Sequence, residues 1–507
     1  RLSLFFIKSK VMKGFVALVF LVIFVILVKY YFFDNSISDR IEDYNIIMIS
    51  LDTTRADHLP CYGYEIDTAP NLCRFAEDSV LFENFIVHSY LTPISQMSIF
   101  TSQLPSNNGV ISFFSKLNNS VQTLPEILKY QGYRTLSIGS SPEFASYFDL
   151  GENRTIVHSN FERGFDSHEY VGSRDIPWKA IDILGDIKDD KFFLWVPIGT
   201  VHFPYSLYVP DEISMKFSSS YDGLLKSKLF FDYETLSYVY DGFFYNSKDS
   251  YGSPVPLTVK DEDYIISKYD AGIYYVDTFI GELLDQLQSL GLDDNTIVII
   301  HGVHGEDLGE HGYFSHYDIY DTEVHSPLII KFPRRPAAKK VKNQVRGIDV
   351  LPTLIDFLGF KISDSFEGIS LLPLIDGVDI DPLDCYIERI PLWEEGILRF
   401  DQAFDSLPQE YHSFLKDFFK EYPENMPSSS DVAVRVDDWK MIHRRSRYIE
   451  KEVSWWGFLK NESMERDEFE LYNLKVDPYE LNNVIHENFE ITSALKKKLI
   501  SFEESAY

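Results

Sequence analysis

Short continuous apolar runs alternate with longer amphipathic ones along this chain. Asn45-Ile-Ile-Met-Ile-Ser-Leu51 closes on Asp52-Thr-Thr, which reads as a buried strand opening into a loop. Val80–Val87, Arg134–Gly139, Lys191–Pro197 and Asn295–Ile300 repeat that pattern. Between them, Ala69–Glu77 reads as a capped helix start and Leu124–Gln131, stopped by Gly132, as a helix. Asp263 to Leu290 sets Ile265, Tyr269, Ile273, Val276, Ile280, Leu283 and Leu287 at helical spacing, predicting a long helix packed on a sheet. Strands alternating with helices predict an α/β fold, a three-layer sandwich with a largely parallel central sheet. Ser206 to Asp261 is polar and irregular and reads as an insertion. Farther on, Arg346–Gly359 predicts a short helix, and Asp431–Asp437 with Trp439–His443 two short strands. These divide the body into a main domain over 45–377 and a smaller α+β subdomain over 378–507.

The first residues follow a different rule. Gly14 to Phe33 is apolar apart from Lys29 and long enough to span a bilayer. Lys8, Lys10 and Lys13 precede it and Asp34, Asp39, Glu42 and Asp43 follow, which keeps the N-terminus cytoplasmic. Lys-Tyr-Tyr-Phe-Phe-Asp offers no small-residue cleavage site, so an uncleaved anchor is expected rather than a cleaved signal peptide. The expectation is a single-pass membrane protein: cytoplasmic tail over 1–13, anchor over 14–33, linker over 34–44, and an extracytoplasmic body. A formal charge of −31 argues against a nucleic-acid partner bound through a broad basic face. The three cysteines are too few for a disulfide framework and lack zinc-type spacing; Cys61 and Cys73 either pair in an oxidising compartment or stay buried thiols.

Three stretches carry candidate chemistry. Asp52 stands at a strand's carboxyl end, where open α/β sheets bind ligands, although an aspartate there can also simply turn the loop. Thr92-Pro93 fits a helix N-cap followed by the first helical position. Such an end attracts anions, and a hydroxyl there can attack sulfur or phosphorus; equally, Thr92 can do no more than cap. His301, His304, His311 and His316 crowd beside the last strand's end, a density that points to a metal or anion site.

In order, these segments resemble the sulfatase family of the alkaline-phosphatase superfamily. The resemblance rests on Leu51-Asp-Thr-Thr-Arg-Ala-Asp-His58, Thr92-Pro-Ile-Ser-Gln-Met-Ser-Ile-Phe-Thr-Ser102, His202-Phe-Pro-Tyr205, Tyr269–Asp277, His304-Gly-Glu-Asp-Leu-Gly-Glu-His311 and Glu470–Pro478. It implies a divalent metal (Ca, Mn, Zn or Mg) and hydrolysis or transfer of a sulfate or phosphate ester on a small molecule, glycan or lipid head group. Asp52 and His304 then match metal ligands and Thr92 the nucleophile position, itself facing the metal. His202 and His316 match substrate-side or leaving-group histidines, and Arg55 an arginine supporting the nucleophile region. Three departures follow. Thr92 replaces the cysteine or serine that becomes formylglycine, and Gln96 the arginine of that motif. Val303 stands where the family has a ligand aspartate, with His301, Glu306 or Asp307 as candidate substitutes. The alternative function is a non-catalytic member that binds a ligand or partner.

Overall fold

The computed structural model describes residues 43–111, 115–139, 162–172, 175–203, 205, 209–218, 221–223, 225, 237–240, 243–246, 255–335, 339–389, 431–444, 448–449, 464–465 and 468–506. The predicted anchor, Gly14–Phe33, lies outside them. Among the described residues no helix is long and apolar enough to cross a membrane.

Eight of the described strands form one sheet. They are β1 (Asn45–Leu51), β2 (Val80–Ile86), β3 (Arg134–Gly139), β4 (Ser167–Tyr170), β5 (Phe192–Ile198), β6 (Thr296–Gly302), β7 (His325–Lys331) and β8 (Lys339–Arg346). Their order is β8-β2-β7-β6-β1-β5-β3-β4. Only β7 runs against its neighbours, so the sheet is largely parallel.

Both faces are covered, as continuous apolar strands require. Ile46 and Met48 of β1, Phe193 and Trp195 of β5, and Ile297 and Ile299 of β6 face one core. There they meet the helices α2 (Thr92–Thr101), α3 (Leu124–Tyr130) and α6 (Val350–Phe357). Ile47, Ile49, Leu194, Val196, Val298 and Ile300 face the other, under α1 (Pro70–Glu77), α4 (Ile176–Ile187) and α5 (Val259–Ser289). The predicted long helix thus starts a little earlier than its apolar stripe, at the capping box of Thr258 and Asp261. Asp277 of α5 in turn caps α1, accepting from the backbone N–H of Asn71 and Leu72 at 3.0 and 2.7 Å.

A second, antiparallel sheet comprises β9 (Cys385–Arg389), β10 (Asp431–Val436), β11 (Trp439–His443) and β12 (Phe469–Asn473). One face joins the first core through Ile387, Ala433, Ile442 and Tyr472. The other packs under α7 (Phe489–Ala506) through Val432, Val434, Met441 and Leu471. Cys61 and Cys73 form a disulfide that ties the loop before α1 to the helix itself.

Candidate active site

Parallel strands deliver their following loops to the same edge of the sheet. Asp52 follows β1, Thr92 lies six residues beyond β2, His202 four beyond β5, and Val303-His304 continue β6. The ladder persists past the strand ends: Asp52 N–H donates to the Ile198 carbonyl at 2.9 Å and Val303 N–H to the Leu51 carbonyl at 2.8 Å. Beyond Asp52 the backbone turns sharply, with φ of 50° at Thr53. Tyr269 of α5 holds that turn, donating to the Thr53 carbonyl at 2.7 Å and accepting from Arg55 N–H at 2.9 Å.

Three side chains meet there. Thr92 Oγ1 lies 3.0 Å from Asp52 Oδ1 and 3.0 Å from His304 Nε2, and those two atoms are 3.1 Å apart. Thr92 is therefore not a cap. Helix α2 begins at Thr92 with Leu91 in the cap position, and no side chain caps it. The hydroxyl is turned into the site instead, while Ser95 Oγ ties the helix to the Val303 carbonyl. The Gly305 carbonyl takes the proton of His304 Nδ1 at 2.9 Å, which leaves Nε2 facing Thr92. Burial opposes charge on both partners, but their contact outweighs it. His304 is raised, and Asp52 is held well below the usual carboxylate range.

His316 and His202 stand beside the trio. The His316 ring centroid is 4.4 Å from that of His304 and 4.9 Å from that of His202. Burial drives His316 well below its ordinary value, and the neighbouring His304 and His202 add to the effect. Glu306 completes the group, with Oε1 3.3 Å from His316 Nδ1. The Thr53 hydroxyl also bonds the Glu306 carboxyl, and the side-chain amide of Gln96 is buried without a hydrogen-bond partner. Burial pushes the Glu306 carboxyl up to about 7, with His202 and His304 pulling the other way.

Two predicted residues lie elsewhere. His301 faces the layer beneath α2, where its Nε2 meets Ser50 Oγ at 2.8 Å and Trp195 Nε1 donates to the same oxygen at 2.9 Å. Burial holds His301 neutral, at about 4, and it does not substitute for the absent aspartate. Arg55 does not support Thr92. Its guanidinium grips Asp57 through two bonds at 2.8 and 2.9 Å, Glu310 Oε1 at 2.7 Å and the Glu306 carbonyl at 3.1 Å. It fixes the loop that carries Glu306, not the nucleophile position.

A metal finds an incomplete donor set. Among the described residues no three His, Cys, Asp or Glu side chains are grouped to hold one. Val303 is apolar and fully buried at the ligand position next to His304. A hard dication seeks six or more oxygens, and the trio itself supplies one carboxylate, that of Asp52. The residues present do not fit the family's metal as a preformed cage.

The sulfatase family model matches residues 44–360. The chain belongs to the sulfatase family. An N-acetylglucosamine-6-O-sulfatase of Bacteroides thetaiotaomicron is 24% identical over 87% of this chain and 82% of its own length. Human iduronate 2-sulfatase is 26% identical over 68% and 70%. The phosphonate monoester hydrolase of Agrobacterium radiobacter superposes with a TM-score of 0.64 over 92% of this chain and 96% of that one, at 20% identity. A solved complex with D-glucosamine-2-N,6-O-disulfate as substrate superposes with a TM-score of 0.63 over 92% and 98%, at 21% identity. The sulfatase names among these relatives support an ester-hydrolase reading.

Proposed function

We propose that this sulfatase-family protein cleaves an ester of sulfate or phosphonate, with Thr92 as nucleophile. The triangle of Thr92 Oγ1, Asp52 Oδ1 and His304 Nε2 carries the reading. Thr92 Oγ1 forms the new bond to sulfur or phosphorus as its proton passes to Nε2 of His304, and Asp52 stabilises the resulting imidazolium. The positive end of α2 faces the ester's anionic oxygens. The bond to the leaving oxygen breaks with its electron pair on that oxygen, which takes a proton from Nε2 of His316. Water then attacks the same centre and gives a proton to Nε2 of His316, while the bond to Thr92 Oγ1 breaks with its electron pair on that oxygen, which takes back its proton from Nε2 of His304. The substrate class follows the relatives: an O-sulfated sugar or a phosphonate monoester. The body acts outside the cytoplasm on its N-terminal anchor, a placement supported by the Cys61–Cys73 disulfide.

The test uses the full chain in detergent with 4-nitrophenyl sulfate and 4-nitrophenyl phenylphosphonate, without added metal and with Ca, Mn, Zn or Mg. Turnover of either ester, lost in Thr92→Ala, is expected. Turnover that survives Thr92→Ala sinks the assignment.

Val303 and the unpartnered amide of Gln96 favour a second reading, a non-catalytic member that binds a sulfated ligand in the same cleft. It predicts no turnover under any of these conditions but saturable binding of glucosamine 6-sulfate.

A further inference from the structure

His316 can act on a leaving oxygen only if its ring is held with one nitrogen facing the site. The chain between His304 and His316 supplies that hold. Asp307-Leu308 pairs with Phe314-Ser315 as a two-rung antiparallel hairpin, with Asp307 opposite Ser315. The next pair along this register is Glu306 opposite His316, and side chains directly opposite each other in such a ladder lie within reach. Their contact, Oε1 to Nδ1 at 3.3 Å, is therefore built into the hairpin.

The surroundings fix both partners. Glu306 N–H donates to the Thr322 carbonyl at 3.0 Å and Gly305 N–H to the Glu323 carbonyl at 2.6 Å. A side chain at position 305 would place its Cβ 2.1 Å from the Thr322 carbonyl oxygen, so only glycine lets this strand approach so closely. Arg55 clamps the Glu306 carbonyl from the other side. At Ser315 the backbone takes φ of 128°, a strained value for a non-glycine residue, just before His316. With Nδ1 on Glu306, Nε2 is the ring nitrogen left for the site.

We propose that Glu306 is the positioning residue for His316, orienting the ring so that Nε2 meets the leaving oxygen of the ester. This rests on the ester-cleaving reading above. Donation from Nε2 requires a second proton on the pair, held across the Glu306–His316 contact. When the bond from sulfur or phosphorus to the leaving oxygen breaks, its electron pair stays on that oxygen. The Nε2 proton transfers there, and the shared proton remains on Nδ1.

Leaving-group dependence tests the assignment. Nitrophenolate departs without a proton, whereas an alkoxide needs one, so a residue that positions the acid matters only for the second. The isosteric Glu306→Gln is compared with the unaltered protein on a 4-nitrophenyl ester and an alkyl ester of the same acid, glucosamine 6-sulfate if sulfate is cleaved or a methyl phosphonate ester if phosphonate is. The expected result is a loss of kcat on the alkyl ester at least tenfold larger than on the nitrophenyl ester, with KM unchanged. Measuring both esters on one preparation cancels any unfolded fraction in the ratio. Equal losses on the two esters overturn the Glu306 assignment and leave the ester reading standing. No turnover of either ester by the unaltered protein overturns both.

Discussion

Two buried polar regions lie within a few residues of each other in the chain, and they are finished differently. Around Asp52, Thr92, His304 and Glu306, no lysine or arginine side chain pairs with the Asp52 or Glu306 carboxylate among the described residues; histidines face them instead. Around residues 318–323, where the same loop meets the second sheet, charges are matched. Arg444 faces Asp318 at 2.5 Å, Glu470 at 2.9 Å and Asp431 at 3.3 Å. Lys440 faces Asp321 at 3.0 Å and Glu480 at 3.1 Å, and Arg435 faces Asp321 at 3.0 Å. Burial is the same in both, so it does not separate function from structure; the pairing of cations with carboxylates, present around Arg444, Lys440 and Arg435, does. A cluster of paired charges fixes one arrangement.

The largest effect should come from unbalancing the matched region. Arg444→Met removes the cation that Asp318, Asp431 and Glu470 share, although Asp431 still meets Arg389 at 3.2 Å. Removing one partner of a buried ion cluster costs about 3–5 kcal/mol. Urea denaturation should show that loss. A loss below about 1 kcal/mol would mean that the cluster is not the fixed point of this loop.

A second prediction concerns acid. His88, buried beside the second sheet, donates from Nδ1 to the Tyr386 carbonyl at 2.7 Å and accepts from Ile348 N–H at 3.3 Å. Burial lowers its pKa from 6.5 to about 3, with Arg346 adding to the effect. The unfolded chain therefore binds a proton that the folded chain refuses between those values. Stability is full above about pH 6.5 and falls as pH drops toward 3, by about 1.4 kcal/mol per unit. His88→Gln keeps a donor and an acceptor but cannot titrate. The difference in unfolding free energy between the unaltered protein and the His88→Gln variant should shift by roughly 2 kcal/mol from pH 7 to pH 5, against the histidine. A pH-independent difference would show that His88 is not held neutral.

The open region answers to Val303. Val303→Asp places a second carboxylate beside Asp52 and His304. In chelator it should destabilise the fold by about 1–3 kcal/mol, since a buried acid then lacks a partner. Added Mn or Ca should reverse the loss and bind stoichiometrically, as read by elemental analysis and thermal melting. Destabilisation without metal uptake would mean that the surrounding oxygens cannot close a shell.

The apolar code of the buried strands made β1, β5 and β6 legible, because strands covered on both faces read as unbroken runs. The spacing in α5 was equally clear. Strand β7 was not, since its apolar core is only Leu328-Ile-Ile330, bounded by Pro327 and Lys331. The site followed the same division. Asp52, Thr92 and His304 sit at strand or helix ends and could be named from motifs. The turning of the Thr92 hydroxyl away from its cap depends on the one-residue position of Leu91, which pattern cannot resolve. The Glu306–His316 pair needed a hairpin whose strands are two residues long, too short for any alternation to register. Arg444 and Asp318 are 126 residues apart, and nothing local announces that they meet.

The smallest predicted effect discriminates best between the two regions. Thr92→Val keeps the volume and branching of the side chain and removes the hydroxyl. Because that hydroxyl caps nothing, the helix loses no backbone partner. Asp52 and His304 remain 3.1 Å apart and can pair directly, so neither is stranded. Folding stability should therefore change by less than about 1 kcal/mol, within the net worth of an ordinary hydrogen bond. Turnover should nonetheless disappear, since the reacting oxygen is gone. A stability loss near ~3 kcal/mol, the range of a stranded buried group, would instead make Thr92 part of the matched, structural class. Its contacts with Asp52 and His304 would then explain the fold rather than the chemistry.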